Sequence, residues 1–535
     1  MPKMILRSKQ ARDKIISGVN EIADTVVTTL GPLGRNVGLG KFWIDPMVVH
    51  DGVSVAKEIQ LEDKFEDFAA QLIRQAAAKT NDRAGDGTTT TVLLAQEMIK
   101  SGMKLVDDGI NPMSIKKGME IAKDIIVEKI KEATIPVETK EKIRQVASIA
   151  SQSEEIGKII AEAVWKVGKN GAVDVQESSR YKIDYEIKDG MEFEKGLTSP
   201  RFANTEKGTV DLKTPYILLL DHPIASAERL IGFLMKVIDR DKGPFSILIM
   251  ADNIDPNSLE SLLTNQKSGS LSPVFIQSPG FAERRKEYLQ DIASLTGATV
   301  ISKELGMNID SVDLDVLGRA ERVTANDKNT KIVGGLGLKK DIKNRIKLIR
   351  GLIKEAESDF DKKIHKERIA KLTSGCAVIK VGGLTEVEMK DTKERVIDAV
   401  EATKAAFANG IVYGGGKLLL EISDYLAQPD MDFQSKDEAD GYWLVCEALK
   451  APFMRLLTHA GIEFDLENGP LTDGEGINVE TGKNVDLIEA GIIDAAEVVI
   501  STVVNAISVA SMLITTDAIV VDKEDPMQKQ NKLNI

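Results

Sequence analysis

The chain has 535 residues, 42% of them hydrophobic and 29% charged, with 83 acidic against 70 basic side chains and a formal net charge of −13. That length predicts about three to five domains. The charge density argues against a membrane protein, and the acidic balance argues against nucleic acid as a general partner.

Aromatic residues make up only 4%, too few for a base-stacking platform. Cys376 and Cys446 stand far apart, and His50, His222, His365 and His459 are scattered without ligand spacing. A disulfide framework, a zinc ribbon and a histidine-based metal site are therefore not expected. The N-terminal segment becomes charged before any apolar stretch, so the expectation is a cytoplasmic protein without a secretory signal.

In chain order, a helical pattern first ends at the turn Thr29-Leu30-Gly31-Pro32-Leu33-Gly34. Lys64–Ala84 then places Phe65, Phe68, Ala69, Leu72, Ile73 and Ala76 on one helical face. A second helix follows Gly85-Asp86-Gly87 and carries Val92, Leu93, Met98, Ile99 and Met103. Between about Gly190 and Gly375 the texture changes. Short apolar runs at 216–220, 246–250, 274–277 and 298–302 alternate with amphipathic helical patterns at 226–240, 256–267 and 283–295. That alternation predicts an α/β unit inserted into a helical frame. A long helix is predicted over 386–408, followed by the glycine turn 414–416. The apolar stretch 498–521, broken by Asn505 and Asp517, reads as a buried helix and then a strand. The tail at 525–535 is polar.

The strongest chemical signal is Gly85-Asp86-Gly87-Thr88-Thr89-Thr90-Thr91 between two helices. Glycines let a backbone approach a phosphate closely, and the first amides of the next helix point outward at its positive end. The threonine hydroxyls add donors. The Asp86 carboxylate suits Mg²⁺, which takes few carboxylates alongside phosphate oxygens and water. The same pattern also describes an ordinary glycine turn with a threonine cap. Asp51, Asp398 and Asp494 likewise stand near glycine turns or helix boundaries, where a ligand can reach them. No GxxxxGK[ST], strand-linked GxGxxG or GxSxG motif occurs, which argues against a P-loop NTPase, a dinucleotide-binding site and a serine hydrolase.

Taken together, several segments resemble the group I chaperonins, the GroEL family. They are TLGPLGRNV at 29–37, DGVSVAKEIQLEDKFEDFAAQ at 51–71, NDRAGDGTTTTVLLAQ at 81–96, PGFAERRKEYLQDIASLTGATVIS at 279–302, RIAKLTSGCAVIKVGGLTEVEMKDTKERVIDAVEATKAA at 368–406 and GGG at 414–416. The resemblance runs colinearly from about residue 8 to about 522. It implies a multidomain α+β chaperonin fold: a mainly helical equatorial domain (1–133 and 409–535), a small hinge domain (134–189 and 376–408) and an inserted α/β apical domain (190–375). It further implies an ATP-dependent chaperone that binds non-native polypeptides in a homo-oligomeric seven-membered ring under a co-chaperonin lid. ATP, Mg²⁺ and K⁺ are the implied cofactors; nucleic acid and membrane are not implied partners.

Carried over residue by residue, the resemblance places Thr29, Leu30, Gly31 and Pro32 along the nucleotide. Asp86 would hold Mg²⁺, while Gly87, Thr88, Thr89 and Thr90 would hold phosphates. Asp51 and Asp398 would polarise the attacking water. Gly414 and Gly415 would lie against the nucleotide, Asn478 near the base and Asp494 at the ribose. Leu197, Arg201, Phe202, Ile231, Leu234, Leu259 and Leu263 would line the groove for non-native chains.

Several positions depart from the family pattern. Leu33 and His50 stand where lysines are usual, Glu480 lies in the base-binding segment, and Tyr413 precedes the glycine turn where a small residue is common. Arg201 replaces an aromatic in the apical groove, Met454 stands where a ring-contact arginine is usual, and a Gly-Met repeat tail is absent. These departures leave a second expectation open: a divergent paralogue that binds protein with weak or absent turnover and altered assembly.

Overall fold

The structure is a computed structural model that describes residues 2–41, 44–169, 171–178, 180–205, 208–242, 244–267, 269, 271–356, 358–427, 432–464, 472 and 474–523. The polar tail at 525–535 lies outside the described residues. The chain divides into two compact units, residues 1–161 with 385–535 and residues 162–384. The first is made from both ends of the chain and the second from its middle.

The first unit is a helical bundle. Its core gathers Ile15, Ile22, Ile73, Met98, Ile99, Ile126, Val445 and Ile507. These come from helices Ser8–Val27, Lys64–Ala84, Thr88–Asp107, Pro112–Glu132, Lys436–Ala448 and Ala496–Ile514. Local chemistry sets the boundaries. Asp63 accepts from the amides of Phe65 and Glu66 and so caps the Lys64–Ala84 helix, which Gly85 ends in the left-handed conformation. Lys14 reaches Asp63 at 2.6 Å and Glu66 at 2.9 Å, fastening that helix start to the Ser8–Val27 helix. Strand Lys3–Arg7 pairs antiparallel with Ala518–Asp522, joining the two ends of the described chain.

The 498–521 stretch is a helix, Ala496–Ile514, followed by that strand. The helix is long and apolar enough by composition to cross a membrane, but most of it is buried within the bundle. Its polar residues have partners there: Asn505 donates to Thr80 Oγ1 at 2.9 Å and Thr502 to the Gly87 carbonyl at 3.2 Å.

The second unit is α/β. Three parallel strands, Leu271–Gln277, Phe245–Ala251 and Tyr216–Leu219, lie side by side. The sheet continues antiparallel through Gly318–Ala325, Thr330–Gly335 and Gly190–Phe193. The intervening helices are Ala227–Asp241, Pro256–Lys267 and Glu283–Thr296. The expected strand at 298–302 shrinks to one bridge between Ile301 and Leu220. The Ile301 amide bonds the Leu219 carbonyl at 2.9 Å, but pairing stops because the chain turns into the short 3-10 helix Lys303–Leu305. A smaller sheet sets Cys376–Val381 between Ala172–Glu177, parallel, and Asp184–Lys188, antiparallel. Of the expected hinge domain, helices Lys140–Ser151 and Glu386–Asn409 group with the bundle and the strands with the α/β unit, while the boundary passes through helix Glu154–Val167.

Candidate functional site

The site is built on the turn between helices Lys64–Ala84 and Thr88–Asp107 in the first unit. Gly87 sits at φ +85 as the N-terminal residue before the second helix. A side chain there would strain the backbone and strike Thr502 Oγ1 and Val498. The Gly87 carbonyl is fixed from two sides, by the Thr91 hydroxyl at 2.9 Å and the Thr502 hydroxyl. Thr80 Oγ1 and Thr91 Oγ1 are 3.0 Å apart in the layer beneath. The turn is therefore rigid, and the opening amides of the Thr88 helix stand at a fixed place. No threonine side chain caps that helix, so those amides are left for a ligand.

Other elements converge on this turn. Thr29 Oγ1 lies 3.4 Å from Thr89 Oγ1 and donates to the Val26 carbonyl. Leu30 is buried, and its carbonyl meets His459 Nδ1 at 3.0 Å. Gly31, at φ +79, turns against Leu456, leaving Pro32 exposed. Asp51 caps the Gly52–Glu58 helix, accepting from Val53 N at 3.1 Å and Ser54 N at 2.8 Å. Gly52 packs directly on Thr89, which carries Asp51 to the turn.

Helix Glu386–Asn409 touches the same place. A Cβ at Gly85 would come within 2.5 Å of Glu401 Cβ and 3.2 Å of the Ala402 amide. Asp398 is one turn before Ala402 on the same helical face. The Glu386–Asn409 helix thus lies on the Gly85 turn.

From the opposite side, strand Ile411–Tyr413 pairs with Ile493–Ala495, setting Val412 opposite Asp494. The Asp494 carboxylate then lies 3.1 Å from where a Gly414 Cβ would stand. Gly415 follows in the left-handed region at φ +65, with Ile492 3.7 Å from where its Cβ would stand.

The carboxylates sense one another. Burial, opposed by a 2.6 Å bond from the Gly87 amide and reinforced by the Asp51 charge, raises the pKa of Asp86. Asp86 nonetheless keeps solvent access. Burial and the Asp86 charge push Asp494 up to about 7. A site that holds carboxylates against their preferred charge is one that a cation relieves. Among the described residues no group of three or more histidine, cysteine or acidic side chains can hold a metal unaided. That suits Mg²⁺, which completes its shell with phosphate oxygens and water. The donor set therefore fits a magnesium nucleotide.

Asn478 is committed differently. Its Oδ1 accepts from the amides of Glu480 and Thr481 at 3.0 and 3.3 Å, fixing the hairpin Glu475–Asn478/Lys483–Asp486. Only its amide nitrogen is left for a base. Glu480 is exposed. Leu33 is 43% exposed and brings no charge to the first turn. His50 Nδ1 lies 3.0 Å from Asn36 Oδ1, while its Nε2 is buried without a partner.

Sequence reasoning overlooked Lys417. It is only 4% exposed, directly after the glycine turn, and pairs with Glu421 at 2.8 Å. Glu421 also accepts from the Tyr413 hydroxyl and from the Gly474 amide. Tyr413 thus anchors this cluster. The i,i+4 Lys–Glu spacing after three glycines was the available signal.

The groove residues in the second unit are largely withdrawn. Phe202, Leu234 and Leu263 are buried in its core, while Leu197, Ile231 and Leu259 are half-buried against it. The apolar faces of helices Ala227–Asp241 and Pro256–Lys267 are spent on the sheet beneath them. Arg201 is exposed but not a free charge: it forms a two-pronged pair with Glu260 at 2.7 and 2.8 Å.

Comparison with known proteins gives this architecture a family. The model of the TCP-1/cpn60 chaperonin family matches residues 22–524. The chain belongs to that family. Two crystal structures of the chaperonin gp146 from the bacteriophage EL 2 (Pseudomonas aeruginosa), both in presence of ATP-BeFx, share its fold. Crystal form II matches with a TM-score of 0.72 and 21% identity over 97% of this chain and 100% of that one. Form I gives 0.65 and 21% over 97% and 99%. With the segments quoted above, this chain is a divergent, group I-like chaperonin, and its family role is that of a chaperone.

Two predictions arise from the chaperonin's side chains. The first concerns Asp494. Its folded pKa lies above the ordinary carboxylate range, so the folded state binds the proton more tightly than the unfolded chain does. The resulting stability is full below about pH 4 and is lost as pH rises through about 7. An asparagine at this position cannot titrate. The nucleotide-free Asp494→Asn variant should gain on the parent as pH rises from 5 to 8, by roughly 1–2 kcal/mol at pH 8. Urea unfolding across that range reads the difference; parallel profiles would refute it. The second concerns Glu260. The Glu260→Gln variant should release the Arg201 charge and increase capture of acidic unfolded proteins, with stability changed by less than about 1 kcal/mol. Unaltered preference between acidic and neutral clients would show that the pair does not tune the groove.

Proposed function

We propose that this chaperonin binds ATP with Mg²⁺ and K⁺ and couples ATP hydrolysis to the capture and folding of non-native polypeptides. On this reading it works as a cytoplasmic, homo-oligomeric seven-membered ring with a co-chaperonin lid, its three nested domains following the boundaries given above. The observation that carries the reading is the convergence of Asp51, Asp86, Asp494 and the Asp398 helix on the uncapped start of the Thr88–Asp107 helix. The phage chaperonin crystallised in presence of ATP-BeFx lends support to nucleotide binding.

Bound magnesium ATP supplies the phosphoryl group whose transfer to water releases the free energy of the cycle. The chain's own residues position and neutralise, which is most of what phosphoryl transfer asks of a protein. Amides and hydroxyls of Thr88, Thr89 and Thr90 bind phosphate oxygens, and Asp86 holds the metal. Asp51, with both oxygens anchored by amides, keeps lone pairs to orient a water. Asp398 accepts the water proton on a carboxylate oxygen. Asp494 takes ribose hydroxyls beside Gly414, which leaves the space open.

The test is steady-state ATP hydrolysis by the purified chain with Mg²⁺ and K⁺, alongside its mass in solution and its ability to rescue a denatured protein. Magnesium-dependent turnover by a ring that rescues its client is the expected result. A protein that captures unfolded chains without turnover would favour the second reading, a binding paralogue. Leu33, uncharged and exposed in the first turn, is the observation on that side.

A further inference from the structure

The α/β unit contains a separate polar pocket of about 240 Å³, open to solvent. Its wall follows the N-terminal ends of the parallel strands, where Tyr216, Ser246 and Ser272 stand. Lys213, Thr214 and Arg319 complete it.

Its electrostatics are lopsided. The Tyr216 hydroxyl accepts from Arg240 at 2.5 Å and also from Arg319, and it donates to Asp241 Oδ2 at 2.7 Å. The Arg319 guanidinium lies 3.8 Å from the centre of the Tyr216 ring. Two guanidiniums thus meet at one uncharged oxygen. Asp241, the pocket's carboxylate, is already occupied by Tyr216 and by Arg240 Nε at 2.9 Å. Lys213 joins Arg319 as the second cation of the lining, while Arg240 is matched by Asp241.

The remaining donors are unspent. Among the described residues, the side chains of Lys213, Thr214, Ser246 and Ser272 make no hydrogen bond or ion pair with the protein. Thr214, a β-branched residue, is held at φ +45, a conformation that costs energy and needs a surrounding reason. Pro244 and Phe245 give the pocket an apolar edge.

A pocket lined by two cations, Lys213 and Arg319, one occupied carboxylate and three hydroxyls without a protein partner is short of acceptors and of negative charge. A tetrahedral dianion supplies both, and guanidinium and ammonium groups bind it through charge-assisted hydrogen bonds. We propose that this pocket binds a phosphate-type dianion, either inorganic phosphate or the phosphate of a small phosphomonoester, held by Lys213, Arg319 and the hydroxyls of Thr214, Ser246 and Ser272.

Titration calorimetry on the full-length chain tests it, with inorganic phosphate in one arm and glycerol 3-phosphate in the other. Chloride at matched ionic strength serves as control, and ADP with Mg²⁺ is kept in every cell to occupy the other phosphate-binding turn. Among the described residues the side chains of Lys213 and Ser272 bond no other protein group, so Lys213→Met and Ser272→Ala should fold as the parent does. The parent should bind saturably, Lys213→Met about tenfold more weakly and Ser272→Ala about threefold more weakly. Tighter binding of the glycerol ester than of phosphate would place the ester body against Pro244 and Phe245; equal binding would assign the pocket to phosphate alone. Absence of saturable binding in the parent, or equal affinity in parent and Lys213→Met, overturns the proposal.

Discussion

Replacing Asp398 by alanine should lower steady-state ATP hydrolysis by about 10²–10³-fold while changing ATP affinity only a few-fold. The split follows from the division of labour in the site. On the proposed reading, phosphate and metal fall to the Thr88 helix start and to Asp86, on a turn held by Gly87, Thr91 and Thr502. Asp398 comes from a different element, the Glu386–Asn409 helix, which meets the turn through Glu401 and Ala402. On the same reading, losing its carboxylate removes a proton acceptor without disturbing the cradle. Asp398→Asn should fall as far, because an amide cannot take the water proton. The measurement is kcat by phosphate release, with affinity from a fluorescent ATP analogue in parallel. Equal loss of affinity and rate would make Asp398 a structural prop. An unchanged rate would move the proton acceptor elsewhere, Asp51 being the next carboxylate at the turn.

Much of this arrangement was legible in the sequence for reasons that can be named. The Lys64–Ala84 helix carries both its boundaries in Asp63 and Gly85. The alternation of apolar runs and amphipathic helices marked the α/β unit, because parallel strands buried on both faces read as continuous apolar stretches. Pairwise geometry was not legible. Nothing local to Asp494 says that it faces Gly414, since strands Ile411–Tyr413 and Ile493–Ala495 are joined only by tertiary pairing. Burial of Leu234 and Leu263 was equally hidden, because a periodic apolar face looks the same whether it meets a sheet or a client. The pairing of Arg201 was hidden as well, because Glu260, its partner, lies 59 positions away. Lys417 was missed because a lysine in a sequence suggests solvent, whereas here it is buried against Glu421, which Tyr413 also anchors.

The residues that made the family resemblance specific also include some that do no chemistry, and these yield the largest stability effect expected here. Asp291 and Arg368 lie in two of the quoted segments and meet in the core of the α/β unit, each only 1% exposed. Arg368 grips Asp291 with two bonds, at 2.7 and 3.0 Å, and Glu287 with a third at 2.6 Å. Arg345 adds a bond to Asp291 at 2.6 Å. Three helices, Glu283–Thr296, Lys339–Glu355 and Asp359–Ser374, are held through this one carboxylate. Asp291→Ala strands two guanidiniums beside an empty space and should destabilise the α/β unit by about 3–5 kcal/mol. The cost comes from unpaired buried charge more than from the value of the bonds. Accordingly, Asp291→Leu combined with Arg368→Met should be less damaging than Asp291→Ala alone, although it has one more substitution. Hydrogen exchange separates the outcomes. Asp291→Ala should strip protection from those three helices while amides of the Thr88–Asp107 helix keep theirs, because the two belong to different compact units. If the double variant proves as unstable as the single one, the network contributes net attraction rather than mutual compensation of buried charges.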